Sequence, residues 1–372
     1  MIIFIIRSIK IIILIVIFGV LISCGGGGSS SDSNNGEQNT EYSGDAEEVL
    51  MAEIEDDLHQ FLDQYDADTN FTIIIKTESG HVLQHSIGTS TENTSYESAS
   101  SSKMVAATVI LSVVQAGGLS LEDSPQDHIS FWPDNGDIST ITLRDLLSFT
   151  SGLINEPLCV HLPNRDFAEC VETIMDNNNK EIDPGSSFYY ASTHLQVAAL
   201  MAVNASGNSS WEELFQEFKD ETSLFQNSQF DLPSSSNPRI AGGMHYTAND
   251  YMEFLEALYF GDILNQDLIN EMTKDQISSA TIEYTPTTAV SKDWHYGFGL
   301  WVECDGVPYN CETPKKISSA GAYGTYPFIN FNKGYYGIVA RQGDLGTFPK
   351  GVILFESIED DIEEWVDLSN SD

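Results

Sequence analysis

The stretch YESASSSKMVAATVILSVVQAGGLSLED, Tyr96 to Asp123, sets Ser100 three residues before Lys103, where a long apolar segment begins. On a helix that spacing puts a hydroxyl and an amine one turn apart on one face. The pair has the layout of a nucleophile and its base without a histidine. Spacing alone is weak evidence, because composition predicts about one Ser-x-x-Lys in a chain this rich in serine. The bland alternative is an N-cap serine followed by a solvated lysine. Context favours the functional reading: Met104 to Val114 are almost continuously apolar, which predicts a buried helix with Ser100 at its N-terminus. There, unpaired N–H groups and the helix dipole favour developing negative charge.

Working outward, Ala46 to Tyr65 carry apolar positions at helical spacing on an acidic background, predicting a surface helix. FTIIIKTESG and HVLQHSIG, around Ser79-Gly80, read as a β-hairpin. The glycines of AGGLSLEDSP end the buried helix. From there to about Ala280 the pattern is mostly helical, with breaks at Pro133, Pro184, Pro233 and Pro238. Strand signals return in HYGFGLWVEC, GTYPFINF and GYYGIVARQ, and a final acidic helix runs from about Gly351 to Val366. The expected fold is α+β: an antiparallel sheet built from both termini, flanked by helices, with a mostly helical lobe inserted at about 118–285. A small-molecule site belongs in the cleft between the two parts.

The chain begins with Arg7 and Lys10 followed by an apolar run from Ile11 to Ile22, too short to span a bilayer comfortably. The run ends in LISC and is followed by a Gly/Ser/Asn tract. This resembles a bacterial lipoprotein signal: residues 1–23 would be removed, Cys24 would carry the lipid, and 24–45 would be a flexible tether to a domain over 46–372. An ordinary cleaved signal is the alternative. The lipoprotein reading places the protein in the bacterial cell envelope, anchored to a membrane and facing the periplasm or on the outer membrane.

With 16 basic and 56 acidic residues the net charge is −40, which repels nucleic acid and anionic headgroups. Of five cysteines, Cys24 is the odd one out. Pairing Cys159 with Cys170 and Cys304 with Cys311 closes two local loops, one of the three connectivities four cysteines allow. A zinc site is the competing reading, but no Cys-x-x-Cys is present. No Gly-x-Ser-x-Gly elbow, His-Glu-x-x-His or phosphate-binding loop occurs either.

Five segments carry a resemblance: SSSKMVAATVILSVVQAGGLSLED, ITLRDLLSFTSGL, PGSSFYYASTHLQVAAL, AGGMHYTANDYMEFLEAL and SSAGAYGTYPFINF. In this order they resemble the serine β-lactamase and penicillin-binding-protein superfamily, in its class C β-lactamase-related branch of esterases and nylon-oligomer hydrolases. The resemblance implies a β-lactamase/transpeptidase-like fold and an acyl-enzyme on Ser100, formed from a small ester, amide or peptide, with no metal and no cofactor. Lys103 and Tyr190 would share general acid–base work. Gly321 would let the backbone approach the substrate, and the amides of Ser100 and Ala322 would form the oxyanion hole.

Four positions in three segments depart from the family pattern. Ser319 replaces a lysine or histidine, with Ala320 in place of threonine. Ser192 stands where many relatives have asparagine, and Phe149 where a histidine is common. The alternatives left open are β-lactam or D-Ala-D-Ala chemistry, and a non-catalytic envelope ligand-binding protein on the same fold. His194 and His245, close to the motifs, are expected to be hydrogen-bonded structural residues.

Overall fold

The computed structural model describes residues 41–178, 182–304 and 316–370. The signal segment, Cys24, most of the expected tether and Cys311 lie outside these residues. Helix α1 (Glu41–Asp63) precedes the hairpin β1 (Phe71–Thr77) and β2 (Val82–Ser86), then β3 (Tyr96–Glu97), a 3-10 turn at Ala99–Ser101 and helix α2 (Ser102–Gln115). The helical lobe follows with α3 (Pro125–His128), α4 (Leu143–Leu147), α5 (Phe167–Asn178), β4 (Ser187–Tyr189), α6 (Thr193–Ser206) and α7 (Trp211–Thr222). It continues through β5 (Gln229–Phe230), β6 (Met244–Tyr246), α8 (Ala248–Phe260), α9 (Gln266–Thr273) and β7 (Thr281–Tyr284). The chain then returns through β8 (His295–Tyr296), β9 (Trp301–Glu303), β10 (Lys316–Ser318), β11 (Tyr326–Asn330) and β12 (Tyr335–Arg341) to α10 (Phe348–Glu356) and α11 (Glu359–Ser369).

The main sheet runs β2-β1-β12-β11-β10-β9-β8 and is antiparallel throughout. The two ends of the chain meet where β1 pairs with β12, Phe71 opposite Arg341 and Ile74 opposite Ile338. Every residue of β12 is buried, and its adjacent tyrosines show why. Successive side chains point to opposite faces of a strand. Tyr335 accordingly packs on Phe355 of α10, while Tyr336 packs on Tyr259 of α8. A strand covered on both faces reads as a continuous apolar run, which is what YYGIVA presents.

Helix α2 is buried from Ser102 to Leu111 and packs against α6, so the apolar run after Lys103 forms a central helix. Polar caps set the neighbouring helix starts. Thr142 and Asp145 form a capping box at α4, and the Thr247 hydroxyl accepts from the Asp250 amide at α8.

Two expectations change. The acidic C-terminal segment is two helices, because the chain turns at Ser357-Ile358 and thereby brings Phe355 and Trp365 both into the core. Strand β10 carries no strand signal in the sequence: it is short, and it contains a lysine. Lys316 is nonetheless buried, held by Glu359 at 2.8 Å and Glu303 at 3.5 Å.

Candidate active site

Ser100 sits in the middle of the 3-10 turn that feeds α2. The turn is pinned from several sides. The Ser98 amide and hydroxyl both donate to the Met244 carbonyl, at 2.9 and 2.7 Å, and the Tyr251 hydroxyl donates to the Ser101 carbonyl at 2.7 Å. Ala99, directly before Ser100, is held at φ +45°, a left-handed conformation that a Cβ disfavours. Such local strain persists only where surrounding contacts over-determine it.

Lys103 is 4 % exposed, and its Nζ lies 2.9 Å from Ser100 Oγ and 2.7 Å from the Ala241 carbonyl. It also sits 4.7 Å from the centre of the Tyr190 ring. Among the described residues no carboxylate is within ion-pair distance of it. Burial therefore lowers the Lys103 amine to about 7, the Arg239 guanidinium adding to the effect and Glu156 opposing it. An amine so tuned is half neutral near pH 7 and can accept a proton.

Tyr190 behaves differently. Its ring stacks on Trp301 at 5.0 Å and lies 5.6 Å from Phe149. Burial pushes its hydroxyl above the ordinary phenol range, with the Ser100 hydroxyl pulling the other way. A tyrosinate is disfavoured here, so the site holds one base, Lys103, and one neutral phenol.

Ser319 to Ala322, the third motif of the family pattern, lie just past the end of β10. A Cβ on Gly321 would fall 2.3 Å from the Ser98 carbonyl and 2.9 Å from Ser101 Oγ, so glycine is required for this segment to approach the turn that carries Ser100. The Ser319 hydroxyl donates to the Ser100 carbonyl at 3.2 Å and thus faces the backbone of Ser100. The Ala322 carbonyl accepts from the Gly346 amide at 3.0 Å, while its own N–H has no backbone acceptor among the described residues.

Ser192 caps α6, and its amide donates to Glu156 Oε2 at 2.9 Å. Glu156 in turn holds His161, and His161 contacts Arg239. None of these three was singled out in the sequence. The available signal was Arg239 itself, a cation two residues before the Ala-Gly-Gly motif in a chain poor in cations.

His194 and His245 are structural, as expected. His194 is fully buried: its Nε2–H donates to the Tyr189 carbonyl at 3.0 Å and its Nδ1 accepts from Ser151 at 2.8 Å, with burial lowering it to about 4. Phe149 stacks on it at 4.8 Å. His245 pairs with Asp231 at 2.6 Å. Cys159 and Cys170 are disulfide-bonded. Cys304 is also disulfide-bonded, and its expected partner Cys311 lies outside the described residues.

The fold is shared with solved structures. No curated protein matches the chain. A candidate β-lactamase from Bacteroides dorei DSM 17855 superimposes with a TM-score of 0.66 at 26% identity, over 85% of this chain and 98% of its own. EstCE1, a hydrolase with promiscuous acyltransferase activity, gives 0.65 at 16% identity, over 87% and 99%. The D-amino acid amidase of Ochrobactrum anthropi SV3 gives 0.62 at 16%, over 86% and 99%. The family model described as Beta-lactamase matches residues 74–350, which include all five segments quoted above, and the chain belongs to that family of hydrolases.

Proposed function

We propose that the protein is a serine hydrolase that cleaves an ester or amide through an acyl-enzyme on Ser100, and that it is held at the bacterial envelope by a lipid on Cys24. The observation carrying the reading is a buried amine, near neutrality in pKa, 2.9 Å from the Ser100 hydroxyl. Neutral Lys103 accepts the Ser100 proton as Oγ attacks the substrate carbonyl carbon. The amides of Ser100 and Ala322 receive the negative charge on the carbonyl oxygen. As the bond to the leaving atom breaks, the Tyr190 hydroxyl delivers a proton to that atom and is replenished from the Lys103 ammonium. Water then attacks the acyl carbon, Lys103 takes a proton from it, and the acid departs as Ser100 regains its hydroxyl.

Short esters fit this site better than β-lactams. The Ser319 hydroxyl is engaged with the Ser100 carbonyl and is uncharged, so the third motif offers no cation to a β-lactam carboxylate. Likeness to an acyl-transferring hydrolase and to an amidase supports acyl chemistry on this fold. The test is intact mass after exposure to p-nitrophenyl butyrate. An adduct should map to the peptide containing Ser100 and be absent from Ser100→Ala. An adduct on another serine, or unchanged turnover in Ser100→Ala, would overturn the assignment. For the anchor, Cys24→Ser should move the protein from the detergent phase to the aqueous phase, and equal partition of both forms would remove the lipid from the reading.

A further inference from the structure

Ser319 stands where many relatives carry a cation, and a different cation, Arg239, lies on the segment that Lys103 contacts. Arg239 lies two residues before Ala241, whose carbonyl accepts the Lys103 amine at 2.7 Å. The turn closes with the Gly242 amide on the Arg239 carbonyl at 3.0 Å, and the guanidinium folds back so that Nη2 donates to the Gly242 carbonyl at 3.1 Å. A Cβ on Gly242 would meet Arg239 Nε at 3.0 Å, so the guanidinium lies directly over this glycine.

Its orientation is set by a directed chain. Arg239 Nη1 donates to His161 Nδ1 at 3.2 Å, which leaves the proton of that imidazole on Nε2. His161 Nε2 then donates to Glu156 Oε1 at 2.9 Å, and Glu156 Oε2 accepts the Ser192 amide at 2.9 Å. His161 rides on the loop closed by Cys159–Cys170, itself tied to the Arg239 segment where Asn237 donates to the Cys159 and Leu162 carbonyls at 2.8 and 3.0 Å.

The guanidinium has no carboxylate within ion-pair distance among the described residues. That is unexpected in a chain with 56 acidic residues. The half-buried arginine Arg144 binds Glu122 and Glu271, and the buried Arg341 binds Asp68. Arg239 spends one N–H on an imidazole and one on a carbonyl, and a guanidinium has five. Three N–H groups remain, enough for two bonds to a carboxylate. Its charge acts on both Lys103 and Tyr323, the residue that follows Ala322.

We propose that Arg239, aimed by His161 and Gly242, is an anion subsite beside Ser100 that selects ester or amide substrates carrying a carboxylate. The proposal rests on the Ser100 reading for catalysis but not for binding, and the experiment separates the two. Binding of monomethyl adipate and dimethyl adipate to the Ser100→Ala protein is measured by titration calorimetry. The monoacid should bind at least tenfold tighter, an advantage that shrinks with added salt and is lost in Ser100→Ala/Arg239→Gln but partly kept in Ser100→Ala/Arg239→Lys. Turnover follows in the wild-type background with two probe pairs: the 4-nitrophenyl monoester of adipic acid against its methyl ester, and 3-carboxyphenyl acetate against its methyl ester. These place the carboxylate on the acyl and leaving sides respectively. In at least one pair the carboxylate should raise kcat/KM at least tenfold, mainly through KM, and Arg239→Gln should bring that ratio to about one. Equal binding of the two adipates, or a ratio that Arg239→Gln leaves unchanged, overturns the subsite. If Arg239→Gln lowers both members of a pair alike, Arg239 is a clip for the disulfide loop and the subsite is likewise overturned. Tighter, Arg239-dependent binding of the monoacid without turnover of any ester would support the subsite and sink the hydrolase reading instead.

Discussion

Lys103 Nζ stands 2.9 Å from Ser100 Oγ with no counter-ion among the described residues, and its other partner, the Ala241 carbonyl, is neutral. A buried amine held by neutral groups loses the stabilisation that would keep it charged, and this lowers its pKa to about 7.

Ester hydrolysis should therefore rise with pH along a limb centred near 7, as the neutral amine accumulates. Lys103→Ala should reduce kcat by about 10²–10⁴-fold. Stability moves with the same group. Below pH 7 both folded and unfolded chains hold the proton, so the folded state carries the full desolvation of a buried charge. Between about 7 and 10.5 only the unfolded chain holds it, and stability rises with pH. Lys103→Met should thus gain most stability over wild type below pH 7 and progressively less above it. Denaturant melts at pH 6 and pH 9 check the sign.

Tyr190 is expected to act as a protonated phenol. Tyr190→Phe should lower kcat by about 10²–10⁴-fold with little change in KM, leaving the rising limb near 7 in place. Stopped assays across pH 5–9 separate this from a packing role, which the Trp301 stack would retain in the phenylalanine variant. Unchanged kcat in a folded Tyr190→Phe protein would remove the phenol from the mechanism.

Wild-type protein should hydrolyse p-nitrophenyl butyrate with kcat/KM at least about tenfold above nitrocefin, a factor equivalent to about 1.4 kcal/mol of transition-state binding. The reason is local: Ser319 offers a neutral hydroxyl already bonded to the Ser100 carbonyl. Nitrocefin turnover matching the ester would mean that a β-lactam carboxylate is recognised from elsewhere, and the subsite at Arg239 would be the first place to look.

Reduction should affect the site through the Cys159–Cys170 loop, which carries His161. Replacing both cysteines by serine should lower stability by about 2–3 kcal/mol, the range for a short closed loop. It should also change hydrolysis of carboxylated esters more than neutral ones, since the loop aims Arg239 through His161. Urea melts and the two paired assays read these separately, and non-reducing peptide maps should contain a Cys159–Cys170 linked peptide.

Local patterns alone determined much of this protein. The apolar run after Lys103 dictated a buried helix, β-rich segments at both ends dictated one sheet, and the order of five motifs identified the family. These signals are legible because helix and strand periodicities, and a serine three residues from a lysine, are written within single segments. Other features depend on residues far apart in the chain. Lys103 becomes a usable base only when Ala241, 138 positions later, supplies a neutral carbonyl and the fold excludes water. Ser319 reads as a substrate-facing position, but its hydroxyl turns to the Ser100 carbonyl, 219 positions away. Strand β10 escapes the pattern because its lysine is buried against two glutamates that only the packed sheet brings together. The same holds for Arg239, an ordinary surface cation in the sequence. Tertiary packing decided its orientation and left it without a carboxylate, because burial and electrostatic pairing are properties of surroundings that no single segment contains.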